Sequence, residues 1–206
     1  MRFGQGGKKE EALADAARIA SAGLGTRSVV LVGLMGCGKT AVGRRLAPQL
    51  GLPFIDADEE IEKAAGKTIE EIFADHGEAY FRDRERRVMA RLLAAGPQVL
   101  ATGGGAFMSD ETRENVRRAA ISVWLKAELG LLVKRVSKRD HRPMLKGRNA
   151  ETVMKELMET RYPVYATADI IVESRDVPHD TIVAEVIQAL AANPLLAGAA
   201  AEGDPA

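Results

Sequence analysis

The sequence is poor in the residues that build disulfides and metal clusters. Among its 206 residues it has one cysteine, Cys37, which excludes an intramolecular disulfide and suits a reducing compartment. Its three histidines, His76, His141 and His179, are far apart along the chain, so no zinc-binding pattern is present. We therefore expect a cytoplasmic protein without a zinc site.

The chain also lacks an excess of charge of one sign and a long apolar run. Lys plus Arg and Asp plus Glu number 29 each, so the overall charge predicts neither a nucleic-acid partner nor a membrane partner. No apolar stretch approaches the roughly 20 residues that span a bilayer. The first residues, MRFGQGGKKEEALADAARIASAGLG, lack the apolar segment of a secretory signal. The length and the 46% apolar content predict one globular domain.

Short β-branched runs alternate with helical patterns, which is typical of an α/β fold with a parallel sheet. The five predicted strands cover residues 28–33, 53–58, 98–103, 121–125 and 169–173. The helices predicted between them include residues 40–50 and 78–95, and Pro48 favours a kink or an early end in the first of these.

The two ends and one internal stretch depart from this pattern. We expect residues 1–27 to form a flexible extension outside the core, with a helix at 9–22, and residues 191–206 to form a flexible tail rich in Ala, Gly and Pro. The domain then covers residues 28–190. Within it, the polar, Arg-rich segment at about 138–149 has no periodicity, and a loop of that length is typical of a functional lid.

The segment GLMGCGKTAVG, residues 33–43, follows the first predicted strand. It fits the phosphate-loop pattern GxxxxGK[ST], in which glycines let backbone amides surround a phosphate group. The lysine of that pattern reaches the terminal phosphates, the hydroxyl binds Mg²⁺, and the positive end of the following helix faces the anion. The predicted ATP-binding residues of this loop are Gly36, Cys37, Gly38, Lys39, Thr40 and Ala41.

The same segment also fits the dinucleotide pattern GxGxx[GA], which would indicate an NAD-dependent oxidoreductase. Asp56 and Asp58 lie at about the distance at which an acidic residue would bind the ribose. However, a pyrophosphate has no γ-phosphate to transfer, so this alternative leaves the pair Lys39 and Thr40 unexplained. A phosphate loop is the better interpretation, and by itself it indicates a nucleoside-triphosphate site and not yet an activity. Phosphoryl transfer to a small acceptor needs further groups.

An acceptor site needs carboxylates, and the sequence offers two beside the phosphate loop. Asp56 and Asp58 are two residues apart near the end of the second predicted strand, so on an extended chain both side chains project in the same direction. One carboxylate would support Mg²⁺ and the other would contact a substrate hydroxyl. The alternative is that both only cap the helix that follows.

Arginines and glycines from other segments complete the predicted site. Arg82 and Glu85 are three residues apart on a predicted helix, so the carboxylate can orient the guanidinium group. Three glycines in ATGGGA follow the third strand, where the backbone can approach a small ligand closely. Arg82 and Arg161 come from different elements and together suit bidentate binding of a carboxylate. The predicted acceptor is therefore an acid that carries hydroxyl groups.

In this order, GLMGCGKT, FIDADEEIE, FRDRE, ATGGGA, RPML and RYPVY resemble the shikimate kinase family over about residues 28–190. The resemblance implies a monomer with a three-layer α/β/α fold, similar to that of nucleoside-monophosphate kinases, around a five-stranded parallel sheet. It also implies transfer of the γ-phosphate of MgATP to the 3-hydroxyl of shikimate, a step towards chorismate and the aromatic amino acids.

The resemblance further implies roles for individual residues. Lys39 and Arg142 would act on the phosphates during catalysis, and Asp58 would be the catalytic base. Thr40 and Asp56 would support Mg²⁺. The residues implied to bind shikimate are Asp58, Arg82, Gly103, Gly104, Gly105 and Arg161. The residues implied to contact ATP outside the phosphate loop are Arg135, beside the adenine, and Arg142.

Some features depart from the family pattern. Cys37 stands where alanine or serine is common, and Thr40 stands where serine is common. The segment SRDVPHD, residues 174–180, aligns poorly with the adenine-side loop of the family. Three alternatives stay open, one of which is the NAD-dependent oxidoreductase. A kinase for another small acid, such as gluconate, would share the loop and the fold, and a non-catalytic ATP-binding module would share the nucleotide site.

Overall fold

The computed structural model describes residues 5–137 and 149–197. Its five strands are β1 (Ser28–Val32), β2 (Phe54–Asp56), β3 (Val99–Ala101), β4 (Ala120–Ala127) and β5 (Ile170–Ser174). They form one sheet in the order β2-β3-β1-β4-β5, and every neighbouring pair is parallel. The predicted parallel sheet is confirmed, although β2 and β3 are shorter than the sequence pattern suggested and β4 is longer.

Helices lie on both sides of the sheet, which confirms the three-layer α/β/α architecture. The helices among the described residues are α1 (Gln5–Leu24), α2 (Lys39–Gln49), α3 (Ala57–Ala65), α4 (Ile69–Ala94), α5 (Asp110–Ala119), α6 (Leu129–Val136), α7 (Ala150–Tyr165), α8 (His179–Ala191) and α9 (Pro194–Ala197). Helix α8 packs against α1 and α2, while α4 packs against α3 and α5. Within the described ranges, no helix has the length and apolar character that crossing a membrane requires.

The central strand β1 explains where the site lies. Its sequence SVVLV is an unbroken apolar run after Ser28, and the four residues from Val29 to Val32 are fully buried. Such a run is typical of a parallel strand covered on both faces. Because β1 lies between β3 and β4, its carboxyl end opens at the middle of the sheet edge. In open α/β sheets, ligands bind at this edge.

Two helices follow local signals in the sequence. Helix α2 ends at Gln49, directly after Pro48, as the missing backbone donor of a proline predicts. Helix α4 begins with a capping box, in which the Thr68 side chain accepts from the Glu71 amide and the Glu71 carboxylate accepts from the Thr68 amide. Gly77, with φ 76°, interrupts the helix. The predicted helix at 78–95 corresponds to the part after this interruption.

The described parts of both chain ends correct an expectation. In the segment expected to be a flexible tail, residues 191–206, helix α9 forms, and Leu196 is 3% exposed and belongs to the main apolar cluster.

Helix α1 corrects the expectation for the other end. The segment was expected to lie outside the core, but Ala17, Ala20 and Leu24 are at most 5% exposed and belong to the main apolar cluster. The Ser21 hydroxyl also donates a hydrogen bond to the Leu50 carbonyl over 2.9 Å. The physical reason is a narrow stripe of small and apolar side chains, spaced by three and four residues, that lets α1 approach α8 closely.

Candidate active site

The phosphate loop connects the carboxyl end of β1 to the first residue of α2, Lys39. Gly33, Gly36 and Gly38 have φ values of 139°, 85° and 103°, a region that residues with a side chain rarely adopt. Gly38 is the N-cap of α2, so the positive end of this helix adjoins the loop. The backbone therefore has the shape and the polarity that suit a phosphate group.

The side chains of the lysine and the threonine, at the start of α2, contact different parts of the site. Lys39 Nζ donates to the carbonyl oxygens of Gly33 over 2.8 Å and of Leu34 over 3.1 Å, so the ammonium group lies over the start of the loop. Thr40 Oγ1 donates to Asp56 Oδ2 over 2.8 Å. The structure thus brings together the two side chains that were predicted to support Mg²⁺.

These two side chains fit a magnesium ion whose other ligands are phosphate oxygens of a nucleotide and water. Mg²⁺ prefers oxygen ligands, keeps several water molecules and is commonly bound through one or two protein groups plus a nucleotide. The hydroxyl of Thr40 and the carboxylate of Asp56 meet this requirement. Among the described residues, no group of three or more His, Cys, Asp and Glu side chains could hold a metal by itself.

The secondary structure that positions the two aspartates differs from the predicted one. Strand β2 ends at Asp56, and Asp58 already belongs to the first turn of α3. Asp56 is the N-cap of this helix, because its Oδ1 accepts from the Asp58 amide over 3.1 Å. The expectation of a strand that stays extended through Asp58 is therefore wrong. Asp56 caps the helix with one oxygen and contacts Thr40 with the other.

Asp58 lies in an environment that disfavours its charge. Burial, with the nearby carboxylate of Asp56, raises the pKa of Asp58 from 3.8 to about 6, although the ammonium group of Lys39 partly opposes this shift. Glu85 adds a smaller effect in the same direction as Asp56. A carboxyl group with a pKa close to neutral pH is suited to exchanging a proton with a ligand.

The glycine run after β3 is where the residues predicted to bind the acceptor converge. A Cβ atom at Gly103 would lie 2.7 Å from Asp58 Oδ1, and one at Gly104 would lie 3.4 Å from Arg161 Nη1. A Cβ atom at Gly105 would collide with the guanidinium group of Arg82. The absence of side chains thus allows two carboxylates, of Asp58 and Glu85, and two guanidinium groups to surround this short piece of backbone.

Glu85 holds one of these guanidinium groups from inside the protein. Its Oε2 accepts from Arg82 Nη1 over 2.6 Å, and its side chain is only 3% exposed. This confirms the predicted orienting contact. Glu85 Oε1 has no hydrogen-bond partner among the described residues, and it lies 2.7 Å from the position of a Cβ at Gly103. Burial raises the pKa of Glu85, and the charge of Arg82 opposes that effect.

Arg161 lies near the end of α7, and the glycine run holds its guanidinium group. Its Nη1 donates to the carbonyl oxygen of Gly104 over 2.8 Å, and the hydroxyl of Tyr165 donates to the same oxygen. Tyr165 is fully buried, and burial raises its pKa. Sequence reasoning did not identify Tyr165. A signal was present, because Arg161 and Tyr165 are four residues apart and therefore share one face of a helix.

Arg135 and His179 flank the other side of the phosphate loop. Arg135 Nη1 lies 3.9 Å from the position of a Cβ at Gly38, and His179 Nε2 lies 4.0 Å from it. Burial, together with the charges of Arg45 and Arg135, lowers the pKa of His179. Arg135, which was predicted to lie beside the adenine, is thus next to the phosphate loop. His179 comes from the segment that aligned poorly with the family, so sequence reasoning missed it.

Two predictions fall outside the described residues. Arg142, the predicted catalytic and nucleotide-binding arginine, lies outside the described ranges, and so does nearly all of the predicted lid at 138–149. Both stay predictions. The remaining predicted site residues lie along one edge of the sheet, around the ends of β1, β2 and β3.

The chain is similar to known proteins over most of its length. The family model for shikimate kinase matches residues 35–191. A shikimate kinase from Bradyrhizobium diazoefficiens is 55% identical over 183 residues, which cover 89% of this chain and 87% of the relative.

Solved structures are also similar to this chain. The shikimate kinase from Acinetobacter baumannii in complex with shikimate is similar with a TM-score of 0.79 and 37% identity, over 82% of this chain and 96% of that one. A gluconokinase from Sinorhizobium meliloti is similar with a TM-score of 0.53 and 22% identity, over 81% of this chain and 92% of that one. At that identity the second likeness concerns the fold alone.

Proposed function

The chain belongs to the shikimate kinase family, and from this premise we propose that it transfers the γ-phosphate of ATP to the 3-hydroxyl of shikimate. The products would be shikimate 3-phosphate and ADP. The observation that carries the proposal is the convergence of Asp58, Arg82 and Arg161 on the glycine run at 103–105. This site offers two cations for a carboxylate and one carboxylate for a hydroxyl, and it adjoins the phosphate loop.

The guanidinium groups would fix the acceptor before the reaction. Arg82 and Arg161 would bind the carboxylate of the acid with charge-assisted hydrogen bonds, which are stronger than neutral ones. Glu85 and the Gly104 carbonyl hold these two arginines in place, so little side-chain entropy is lost when the acid binds. The remaining hydroxyl groups of the acid would then face Asp58.

Asp58 would accept the proton of the attacking hydroxyl. Its pKa of about 6 leaves it ionised at neutral pH but makes it a stronger base than an ordinary aspartate. Lys39 would balance the negative charge that accumulates on the phosphates. Mg²⁺, held near Thr40 and Asp56, would supply further charge neutralisation when bound. We also propose that Arg142 acts on the phosphates, as the family resemblance implies.

The test is an ADP-release assay with MgATP and shikimate, run beside gluconate and quinate. We expect shikimate to be the preferred acceptor by kcat/KM, and we expect activity to disappear when a chelator removes Mg²⁺. Faster turnover of gluconate would favour the alternative small-acid kinase. Tight ATP binding with no transfer to any of the three acids would favour the non-catalytic module instead.

We further propose that the enzyme is a monomer that works in the cytoplasm and has no nucleic-acid partner. The single cysteine supports the cytoplasm and the balanced charge supports the absence of a nucleic-acid partner, while the monomer is what the family resemblance implies. Light scattering at micromolar concentration should give the mass of one chain, 22.1 kDa. A mass of twice that value would show that the protein is a dimer, and the monomer proposal would be wrong.

A further inference from the structure

Two carbonyl groups of the phosphate loop are held by Ser174, which has no role in the proposed reaction, and by Arg135. The carbonyl of Cys37 accepts a hydrogen bond from Ser174 Oγ over 2.7 Å, and the carbonyl of Gly36 accepts one from Arg135 Nη1 over 3.2 Å. These are consecutive peptide groups of the loop. Their orientation determines where the neighbouring amides point, and those amides are the groups that bind phosphate in such loops.

Ser174 is well placed to fix this part of the loop. It is the last residue of β5, whose side chains alternate between buried and exposed, and it follows Ile170 and Val172 on the buried face. It is only 5% exposed. The alternation therefore places a hydroxyl, instead of an apolar side chain, inside the protein where the strand meets the loop.

One hydroxyl makes two contacts at this point. Ser174 Oγ donates to the Cys37 carbonyl and accepts from Arg135 Nη1 over 3.1 Å, which uses its single proton and one lone pair. Arg135 is also held by the Arg175 carbonyl over 2.9 Å. Its guanidinium edge is thus occupied by protein acceptors, and the group remains beside Gly38 at the start of α2.

We propose that Ser174 is a positioning residue for nucleotide binding, because its hydroxyl fixes the phosphate loop and the Arg135 guanidinium relative to each other. Ser174 acts through Cys37 and Arg135 and does not itself contact the acceptor site. The inference rests on the proposed kinase function for the identity of the nucleotide. It extends that function to the segment at 174–180, whose alignment with the family is poor.

The test compares Ser174→Ala with Ser174→Thr in steady-state kinetics. Loss of the hydroxyl leaves the Cys37 carbonyl without its donor, so Ser174→Ala should raise the KM for ATP by about 5- to 10-fold, the usual effect of losing one hydrogen bond. The KM for shikimate should stay close to the wild-type value. Ser174→Thr keeps the hydroxyl and should restore ATP binding, whereas a threonine variant as weak as the alanine variant would overturn the proposal.

Ser122 provides a matched control for a purely structural role. It is also a buried serine, 3% exposed, on the neighbouring strand β4. Its hydroxyl donates to Asp169 Oδ2 over 2.6 Å and accepts from the Asp169 amide over 2.9 Å. Ser122→Ala should lower the melting temperature without changing the KM for ATP. If Ser174→Ala behaves in the same way, Ser174 is only structural and the proposal is wrong.

Calorimetric titration of MgADP separates this inference from the proposed function. MgADP binding needs no acceptor, so its Kd should rise by about 5- to 10-fold in Ser174→Ala even if shikimate proves to be the wrong substrate. Failure of wild-type protein to phosphorylate shikimate would refute the proposed function alone. An unchanged Kd for MgADP in Ser174→Ala would refute the positioning role alone.

Discussion

The nucleotide side and the acceptor side of the site are built in different ways. The phosphate loop of the nucleotide side is one contiguous segment, residues 33–41, whose shape depends on backbone conformation and on hydrogen bonds to uncharged carbonyl groups. The acceptor side collects Asp58, Glu85, the glycine run and Arg161 from four segments, and burial perturbs its charges. Binding of the acid should therefore depend on a few individual charges, and changes to them should leave ATP binding nearly unaffected.

The largest expected effect is on Asp58. Asp58→Asn keeps the shape of the side chain but removes the base, so kcat should fall by about 10²- to 10⁴-fold, the scale for a general acid or base. The KM for ATP should change little. Glu59→Gln is the matched control, because Glu59 is the next residue of α3 but its side chain is 63% exposed and pairs with Arg44. Turnover of Asp58→Asn near the wild-type level would remove Asp58 from this role.

A second test concerns the two arginines. Arg82→Ala or Arg161→Ala should raise the KM for shikimate by roughly 10- to 10²-fold, as expected for losing charge-assisted hydrogen bonds to a carboxylate. The KM for ATP should remain almost constant. Arg86→Ala, on the same helix as Arg82 but paired with Asp83 at the surface, serves as the control. A parallel rise in both KM values would show that the two sides are not separate.

A smaller effect should distinguish the two carboxylates that contact Arg82. Glu85→Ala removes the partner that is 3% exposed, and it should raise the KM for shikimate by about 10-fold because Arg82 loses its fixed orientation. Glu78 contacts the same guanidinium group over 3.1 Å, but its side chain is 63% exposed. Glu78→Ala should therefore change this KM by less than about 3-fold. Equal effects of both changes would contradict the importance of the buried contact.

The smallest effect should appear in the pH dependence. The ionised form of Asp58 is the base, so the rate should fall as the pH drops through its pKa of about 6. Between pH 7.5 and 5.5 the ionised fraction falls about fourfold, and kcat/KM with both substrates below saturation should follow it. In Glu85→Gln the acidic limb should move to lower pH, because the charge of Glu85 raises the pKa of Asp58. If the acidic limb of the pH profile lies at the same pH in the wild type and in Glu85→Gln, the charge of Glu85 does not affect the pKa of Asp58.

The nucleotide side could be predicted from the sequence because its parts are adjacent in the chain. The spacing of Gly33, Lys39 and Thr40 alone indicates a turn that cradles phosphate, and the structure has the corresponding backbone angles. The parallel sheet could also be predicted, because buried β-branched runs such as β1 have few alternative structures.

The acceptor side could be predicted only in part. Residue types and the family resemblance identified Asp58, Arg82 and Arg161, but the reason offered for the two aspartates was wrong. The helix cap at Asp56 ended the strand earlier than the apolar pattern suggested, since an N-cap aspartate satisfies the free amide of Asp58. Local capping and strand extension compete, and the sequence pattern does not decide between them.

Some contacts between distant segments could not be predicted. The hydroxyl of Tyr165 on the Gly104 carbonyl and that of Ser174 on the Cys37 carbonyl join residues that are 61 and 137 positions apart. Helix α1 was misjudged for a related reason. Its apolar stripe consists mainly of alanines, and their burial depends on a partner, α8, at the other end of the chain.

The most direct test of the account is a crystal structure of the protein with shikimate and MgADP. We expect the carboxylate of the acid between the guanidinium groups of Arg82 and Arg161, above the glycine run, with a ring hydroxyl within hydrogen-bond distance of Asp58. That hydroxyl should point towards the phosphate loop. An acid bound elsewhere, or bound here with its carboxylate directed away from both arginines, would contradict the central claim.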